Sequence, residues 1–524
     1  MARLQNVNTT DIGEAIRLGC RTMASVFNPA DDNFPYFESV VRPSAYLAFN
    51  AMHGESHVPG RHLNALLTAE AVVGVCLDED TIENHSRALF FSYGGLLPLP
   101  MNRQEIGGPL VNLYPHNIRE GFHGLYALVR YRGLHRAATL AEASIAAIFR
   151  QWSPTRSWRV EPETVLIPDI ELLIDSSDDF ISGIARAIGP LVKYYRTTGY
   201  GPALELALLL KEHALSGYFP PDGTYDVRRH GTHTHSTTCV LASLAQLAAL
   251  TNDAPLMERV KAFYDGGLWQ IRDQLGWVIA TSSPIADPDL GEINNTGDIL
   301  ETALILGRWG YTACFEDAER ILRGHLLPAQ LRDASFIKDP PNPTLEDAKS
   351  NLASRHLGAF GFPAPYGHEP LGAASISFNM DIVGGAVGSL CEAYRHIARS
   401  DDAGTWIDML FDHETADVAI ESPYTHGVLS VRAKRARPLF IRLPSWAPPA
   451  HVTVSGYSGE SHLVNGYLCL SEPPVNRALR IEFPLVESEI TLKHRTRDIP
   501  VRLRGDAVVA MANFGADLTF FPAP

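Results

Sequence analysis

Histidines are concentrated in one short stretch of this chain, RRHGTHTHSTTC (residues 228–239), directly before a long apolar segment. Imidazole donates and accepts hydrogen bonds near neutral pH and is also a common metal ligand. His233 and His235 could therefore contact sugar hydroxyls, bind a metal ion, or belong to a polar loop without a ligand. The stretch contains no acidic residue, and an H-x-H pair alone is a weak metal motif. We therefore expect no bound metal and no cofactor.

Carboxylates follow in GEINNTGDILE (residues 291–301), at the start of another apolar helix. Hydrolysis of a glycosidic bond commonly uses two carboxyl groups, one that protonates the leaving oxygen and one that activates water or attacks the sugar. Glu292, Asp298 and Glu301 are candidates for this pair, and the last two fall on one helical face. Structural roles stay open, because Asp298 could cap the helix and Glu301 could interact with its dipole.

Two further stretches combine polar groups with an adjoining apolar helix. SFNMDIVGG (residues 377–385) contains Asp381, which could be the second carboxylate or a solvent-facing loop residue. NAMHGESHVPGRHL (residues 50–63) contains His57 and Arg61, both candidates for binding substrate. A guanidinium is a rigid bidentate donor that suits a carboxylate-bearing substrate. Arg61 could equally form an ordinary salt bridge, with the histidines at the surface.

Helical hairpins are predicted to position these stretches. Apolar residues recur at i, i+3, i+4 and i+7 in paired segments, at residues 124–152, 181–214, 240–269 and 299–331, with a degenerate helix at 386–411. Residues 43–54 and 62–77 are expected to supply the first pairs. Hairpins at this spacing bury their faces against neighbours, which favours a closed (α/α)6 toroid. Its inner helices would lead into one concave end where ligands bind.

The residue pattern changes after about residue 410. The remaining segment is rich in Val, Ile, Thr and aromatic residues, alternates apolar with polar positions and is interrupted by Gly, Pro and Asn. These features are typical of antiparallel strands and hairpins. We therefore predict a mainly α protein with two domains, an (α/α)6-barrel catalytic domain over residues 1–410 and a C-terminal antiparallel β-sandwich over residues 411–524.

Composition argues against several classes of partner. The net charge of −15 disfavours a surface for nucleic acid or an anionic membrane. No apolar stretch reaches the ~18 residues of a membrane span, and the N-terminus shows no signal-peptide pattern. The six cysteines are scattered without CxxC spacing, as in reduced cytoplasmic proteins. We expect a cytoplasmic protein that acts on an oligosaccharide or glycoside, and a homodimer is compatible with the sequence.

Three segments form a pattern that is specific enough to compare with a known family. They are GTHTHSTTCVLASLAQLAALTN at residues 231–252, IGPLVKYYRTTGYGPALELALLL at residues 188–210, and RPLFIRLPSWAPPAHVTVSG at residues 437–456. They resemble, in this order, a G-L-H-A-N-T loop with its helix, a helix pair, and an R-I-P-x-W-A strand pattern of glycoside hydrolase family 127. This family comprises bacterial β-L-arabinofuranosidases and relatives with an (α/α)6 barrel followed by a β-sandwich. The resemblance extends from about residue 115 to about residue 500.

The resemblance implies roles for single residues. His233 aligns with the family's sugar-contacting histidine, His235 with its Asn, and His123, in NIREGFHGLYAL, lies near another active-site histidine. Glu292 matches the acid/base glutamate, and Glu301 matches a glutamate that binds zinc in the family.

The zinc chemistry of the family is not implied for this chain. In the family, a cysteine nucleophile is held on zinc by a glutamate and further cysteines. Here Ala303 stands where a ligand cysteine belongs, residues 377–385 contain no cysteine where the family has a pair, and Cys391 follows too late, within an apolar helix. A thiolate–zinc site needs cysteine ligands in a roughly tetrahedral array. The resemblance therefore implies a divergent relative without this site.

These observations predict an exo-acting glycoside hydrolase that removes an exposed terminal sugar from a plant or microbial oligosaccharide or glycoside. Glu292 would be the acid/base residue, with Asp298, Glu301 or Asp381 as the partner carboxylate. Two alternatives stay open. One is a polysaccharide lyase that cleaves a uronate-containing glycan. In such an enzyme a His or Tyr side chain abstracts a proton from the sugar, and Arg61 would neutralise the uronate. The other is a sugar-binding relative without catalysis.

Overall fold

The structure is a computed structural model that describes residues 11–155, 157–158, 171–172, 180–283, 289–369 and 375–524. The described residues form these α-helices: α1 Ile12–Met23, α2 His57–Val73, α3 Glu79–Ser92, α4 Ile118–Arg132, α5 His135–Gln151, α6 Ile188–Thr198, α7 Gly201–Gly217, α8 Val227–His230, α9 Thr234–Thr251, α10 Ala254–Asp265, α11 Ile293–Trp309, α12 Cys314–Ile321, α13 Leu352–His356, α14 Met380–Arg395 and α15 Pro423–His426. They also form these strands: β1 Phe27–Asn28, β2 Phe34–Pro35, β3 Glu38–Arg42, β4 Tyr46–Ala48, β5 Met101–Arg103, β6 Leu110–Leu113, β7 Trp152–Ser153, β8 Ser157–Trp158, β9 Glu171–Leu172, β10 Ile376–Asn379, β11 Ala398–Ser400, β12 Thr405–Ile407, β13 His413–Glu414, β14 Val418–Glu421, β15 Leu429–Ala433, β16 Leu439–Arg442, β17 Thr453–Ser455, β18 Ser461–Val464, β19 Tyr467–Leu470, β20 Ala478–Glu482, β21 Glu487–Lys493, β22 Asp498–Arg504 and β23 Ala507–Met511.

Six helices form a closed inner ring. In this ring α2 packs against α4, α4 against α6, α6 against α9, α9 against α11, α11 against α14, and α14 against α2. Helices α3, α5, α7, α10 and α12 each pack on the inner helix that precedes them, and α1 packs on α14. The first helix of the chain thus completes the sixth pair with the last inner helix. The predicted (α/α)6 toroid is confirmed.

One expected helix is absent from its predicted place. Residues 43–54 contain β4 and a turn, and β4 pairs with β3 in a small sheet. The prediction was wrong because a short apolar run between Pro43 and Gly54 suits a strand as well as a helix. The missing outer helix is α1, which Asp11 caps by accepting a hydrogen bond from the Glu14 backbone N–H at 2.8 Å.

Glycines set the close packing of the inner ring. Helices α2, α4 and α6 each end at a glycine in the left-handed region, which lets the chain turn into the outer helix. Within α2, a Cβ atom at Gly60 would lie 1.9 Å from the carbonyl oxygen of Glu120 on α4. The absence of a side chain at Gly60 therefore brings Arg61 and Glu120 within reach of each other. None of the described helices has both the length and the apolarity that a membrane crossing requires.

The C-terminal strands form two five-stranded sheets, in the orders β11-β12-β16-β19-β18 and β13-β14-β15-β20-β17, and a three-stranded sheet β21-β22-β23. Neighbouring strands in these sheets are antiparallel except for the parallel pair β12 and β16. The expected β-sandwich class is confirmed. Strands β11 and β12 join the first sheet before residue 411, and the division of the chain into domains stays a prediction.

The C-terminal sheets also brace the toroid segment that leads to Glu292. In the turn between β21 and β22, His494 Nε2 lies 3.0 Å from Asp273 Oδ2. Its neighbour Arg495 donates from Nε to Asp289 Oδ1 at 3.0 Å. Both aspartates precede α11 on the chain, so these contacts help to fix the segment from which Glu292 projects.

Candidate active site at the N-terminal ends of the inner helices

Titratable side chains from all six inner helices, or from the residues just before them, converge inside one end of the toroid. They are Arg61 on α2, Glu120 on α4, Arg186 before α6, His235 on α9, Glu292 and Asp298 at the start of α11, and Asp381 on α14, each at most 7% exposed. Charged groups are rarely buried without partners. Their shared burial therefore marks this end of the toroid as the candidate active site.

Asp381 belongs to a first group that joins α2, α4 and α14. Its Oδ2 atom lies 3.3 Å from His57 Nε2 and 3.4 Å from Arg61 Nε. Burial alone would raise the pKa of Asp381, but the charge of Arg61 and the hydrogen bond and charge of His57 outweigh it and hold the pKa below its usual value. Asp381 is therefore ionised at neutral pH. It is also buried, so the reading as a solvent-facing loop residue is wrong.

Glu120 is the fully buried centre of an arginine cluster, and sequence reasoning missed it. Its Oε1 atom accepts hydrogen bonds from Arg61 at 3.0 Å and from Arg119 at 3.1 Å. The same oxygen accepts from Arg186 Nη2 at 2.8 Å. Burial would raise the pKa of Glu120, but the charges of Arg186 and its neighbours hold it well below its usual value. The one available signal was its place in the first turn of the helix that carries His123.

Glu292 and Asp298 form a second group around His235. Nδ1 of His235 lies 3.4 Å from Glu292 Oε1, and its Nε2 lies 3.5 Å from Asp298 Oδ2. Burial raises the pKa of Glu292 to about 7, a hydrogen bond from Asn294 opposes this, and the charge of Asp381 adds to it. Burial likewise raises the pKa of Asp298 to about 7. This group can therefore keep a transferable proton on a carboxylic acid near neutral pH.

The remaining carboxylate candidates take different places along α11. Helix α11 begins at Ile293, so Asp298 does not cap it; its Oδ2 atom accepts instead from Thr238 Oγ1 at 2.9 Å. Glu301 lies one turn further on, where its Oε1 atom accepts from Ser389 Oγ at 2.8 Å. Glu301 therefore lies further along α11 than Glu292 and Asp298, away from the groups around Asp381 and His235.

The binding candidates line the same region with additional rings. The imidazoles of His57 and His116 stack with centroids 5.4 Å apart, and His116 also stacks on Tyr114 at 5.1 Å. His116 lies 5.4 Å from His233, whose side chain is 38% exposed. His233 therefore borders open space. His123 is buried and lines a narrow cavity that continues along the inner helices past Asp298, Cys239 and Glu301. Sequence reasoning missed His116 and Tyr114, although flat rings of this kind pack against sugar faces.

Three of these side chains could hold a metal ion by distance alone. Donor atoms of His233, His235 and Glu292 all lie within 4.8 Å of one another, and two histidines with a glutamate form a known zinc set. Burial first, and then the charges of Arg61 and Arg186, lower the pKa of His235. The same guanidinium charges disfavour an added cation. The absence of a metal stays a prediction.

The cysteine–zinc set of the resembling family does not fit this site. Ala303 has no ligand atom, and the carboxylate of Glu301 accepts hydrogen bonds from Ser389 and Gln246. Of the cysteines, all of which lie in the described ranges, Cys239 alone lines the cavity beside Glu301, while Cys391 is fully buried within α14. One thiol cannot supply the several sulfur ligands that such a zinc requires.

Solved structures share the fold of this chain. A β-arabinofuranosidase of glycoside hydrolase family 127 superposes with a TM-score of 0.56 at 13% identity, covering 94% of this chain and 79% of that one. A β-L-arabinofuranosidase of that family from Geobacillus stearothermophilus T6 gives a TM-score of 0.56 at 14% identity, covering 88% and 77%. A sugar epimerase from a ruminal bacterium gives 0.51 at 11% identity, covering 73% and 98%. No protein-family model and no curated protein sequence matches this chain. The similarity of fold to these family 127 structures therefore covers most of this chain, at low sequence identity.

Proposed function

We propose that this chain, which shares the toroid-and-sandwich fold of family 127 structures, hydrolyses a glycosidic bond to an exposed terminal sugar. One observation carries the proposal. Two buried carboxyl groups of the site have pKa values displaced in opposite directions, that of Glu292 upward to about 7 and that of Asp381 downward. Opposite displacement of two carboxyl pKa values separates an acid from a base, and glycoside hydrolysis needs both.

In the proposed reaction the bond between the anomeric carbon and the leaving oxygen breaks. Glu292 gives its proton to that oxygen, so the leaving group departs as an alcohol. Asp381 either removes a proton from the attacking water or first bonds to the anomeric carbon, and water then releases the sugar. In the first case Asp381 ends protonated and Glu292 ionised, and both return to their starting states by proton exchange with solvent. In the second case the Glu292 carboxylate takes a proton from the hydrolysing water and so recovers its acid form, while the bond between Asp381 and the sugar breaks.

The neighbouring side chains hold these two groups in place. His57 and Arg61 both lie within 3.4 Å of Asp381 Oδ2 and keep it ionised. Asn294 donates to Glu292 Oε1 at 2.9 Å and fixes the orientation of its carboxyl group. The half-exposed His233 is the side chain best placed to meet sugar hydroxyls that enter from open space.

The geometry disfavours the lyase alternative. A lyase that acts beside a uronate needs a cation or amide that is free to neutralise the substrate carboxylate. Arg61, Arg119 and Arg186 all donate to the buried carboxylate of Glu120. Freeing one of them would leave Glu120 with less compensation inside the protein, at a substantial cost in free energy.

Screening a library of terminal glycosides tests the proposal. The parent and the matched control Glu258→Gln, an exposed glutamate on α10, should release free monosaccharide. Glu292→Gln and Asp381→Asn should release it at least about 10²-fold more slowly. An unsaturated product absorbing in the ultraviolet would contradict hydrolysis in favour of a lyase. Inversion at a sugar carbon without bond cleavage, or binding without product across the library, would also overturn the proposal.

A further inference from the structure

A second cavity, of about 540 Å³, lies at the opposite end of the inner helices from the candidate active site. The last turns of α4, α6, α11 and α14 surround it. Its cationic lining side chains are Arg130, Lys193, Arg196, Arg308 and Arg395. Among the described residues, two carboxylates line it, Glu301 and Glu392. The cavity is therefore strongly cationic within a chain whose net charge is −15.

Most of these cations lack a carboxylate partner. Arg395 forms an ion pair with Glu392 at 3.0 Å, and Arg308 donates to the ring nitrogen of His396 at 2.9 Å. Within the described part of the chain, no ion pair joins Arg130, Lys193, Arg196 or Arg308 to a carboxylate. Burial would raise the pKa of Glu392, yet the charges of Lys193 and Arg395 hold it below its usual value. The field in the cavity therefore favours negative charge.

Compensation of helix dipoles does not account for this arrangement. A basic residue in the last turn stabilises the negative end of a helix, and that explains one arginine on one helix. The outer helices α1, α5 and α12 also carry a basic residue in the last turn, whereas α7 and α10 carry none. Lys193, however, lies before the last turn of α6, where dipole compensation does not call for a cation, and it lines the same cavity.

We propose that this cavity binds a small polyanion, a molecule that carries phosphate or several carboxylate groups. Its volume lies in the range of small-molecule sites, and a guanidinium binds phosphate or carboxylate through two parallel hydrogen bonds. Tyr126 and Tyr131 line one part of the wall and Leu304 and Ile305 another, which suits an organic body between charged groups. A duplex nucleic acid or a membrane is too large for this concave space.

The proposed occupant would lie at the far end of a space that is continuous with the candidate active site. Glu301 and Gln246 line both this cavity and the narrow space that contains Asp298. Glu301 follows Asp298 by one helical turn. Lys193 and Arg395 also line both spaces, so the two cavities are continuous, whereas Arg130, Arg196 and Arg308 line the second cavity and not the space beside Asp298.

Calorimetric titration of the full-length protein with inorganic pyrophosphate, and separately with citrate, tests the proposal, with ionic strength held constant by sodium chloride. We expect the parent to bind at least one probe saturably. The double variant Arg196→Ala/Arg308→Ala should bind that probe with an affinity roughly tenfold or more lower for each guanidinium removed. Stronger binding of pyrophosphate would assign the site to phosphorylated ligands, and stronger binding of citrate to polycarboxylates.

The matched control is Arg432→Ala/Arg502→Ala, which removes two exposed arginines of the C-terminal strands. It should bind both probes as the parent does. Equal weakening in the control, or no saturable binding of either probe by the parent, would overturn the proposal. Unfolding temperatures show whether the variants are folded. If the double variant is not folded, the single variants Arg196→Ala and Arg308→Ala replace it.

Discussion

The Nδ1 atom of His235 lies 3.4 Å from Oε1 of Glu292, and the imidazole cannot act there as a counter-cation. Burial and the charge of Arg61 lower the pKa of His235 well below its usual value, so the ring is neutral at neutral pH. Glu292 therefore keeps its proton up to about pH 7. A carboxylic acid in this state near the working pH is what general acid catalysis requires.

Glu292→Gln should lower kcat roughly 10²–10⁴-fold for natural glycosides, because loss of a general acid costs about this factor. The loss should be much smaller for a dinitrophenyl glycoside, whose leaving group departs without protonation. Comparing kcat of parent and variant on both substrates separates an acid role from a structural one. An equal loss on both substrates would contradict the assignment of Glu292 as the acid.

The pH dependence of activity follows from the same group. Glu292 must be protonated to act, so kcat/KM should fall above about pH 7. The acid limb should lie below the usual range of an aspartate, because the pKa of Asp381 is lowered. The hydrogen bond from Asn294 lowers the pKa of Glu292, so Asn294→Ala should move the alkaline limb to higher pH. A limb that stays in place would show that another group controls it.

The stability of the protein should also depend on this proton. The pKa of Glu292 is about 7 in the folded chain against a reference of 4.5. Because the pKa of Glu292 is higher in the folded chain than in the unfolded chain, its proton stabilises the fold. This contribution is complete below the unfolded pKa and is lost as the pH rises through the folded pKa. The raised pKa of Asp298 causes a similar loss in the parent and in Glu292→Gln. The parent should therefore lose roughly 3 kcal/mol more between these values than Glu292→Gln does. Urea unfolding at pH 5 and pH 8 measures the difference, with Glu258→Gln as the control that should follow the parent at both values.

The periodicity of apolar residues was sufficient to predict the toroid, because the apolar spacing and turn residues of each hairpin lie within a short segment of sequence. The helix that completes the sixth pair was not predictable in this way. Helix α1 packs on α14, more than 350 residues later in the chain, and no local pattern links the two. Residues 43–54 were assigned to a helix because a short apolar run does not distinguish helix from strand.

The residues of the candidate site were predictable where they lie close together in sequence or belong to a recognisable motif. His233, His235 and Glu292 come from stretches that flank the starts of neighbouring inner helices α9 and α11. Glu120 and Arg186 were missed, because Arg186 lies in an otherwise apolar segment and meets Glu120 only through long-range packing. A buried ion pair of this kind leaves no spacing signature in the sequence.

We predict that a chelator leaves activity and unfolding temperature unchanged and that the purified protein contains far less than one metal atom per chain. The physical reason is the charge of Arg61 and Arg186 beside the histidines, which disfavours a dication. Dialysis against a chelator, followed by elemental analysis and assay, measures both effects. Activity that disappears on chelation and returns with zinc would contradict the prediction and favour a metal on His233, His235 and Glu292.

Glu120→Gln should destabilise the protein by about 3–5 kcal/mol, because it leaves three buried guanidinium groups without their shared carboxylate. The amide of the glutamine would also point a donor at donors. The matched control is Glu70→Gln, since Glu70 accepts from Arg132 at 2.7 Å in a partly exposed pair, which should cost at most about 1 kcal/mol. Urea unfolding at pH 7 measures both losses. Equal losses for the two variants would contradict Glu120 as the centre that holds the site together, because a buried carboxylate with three cationic partners must matter more than a surface one.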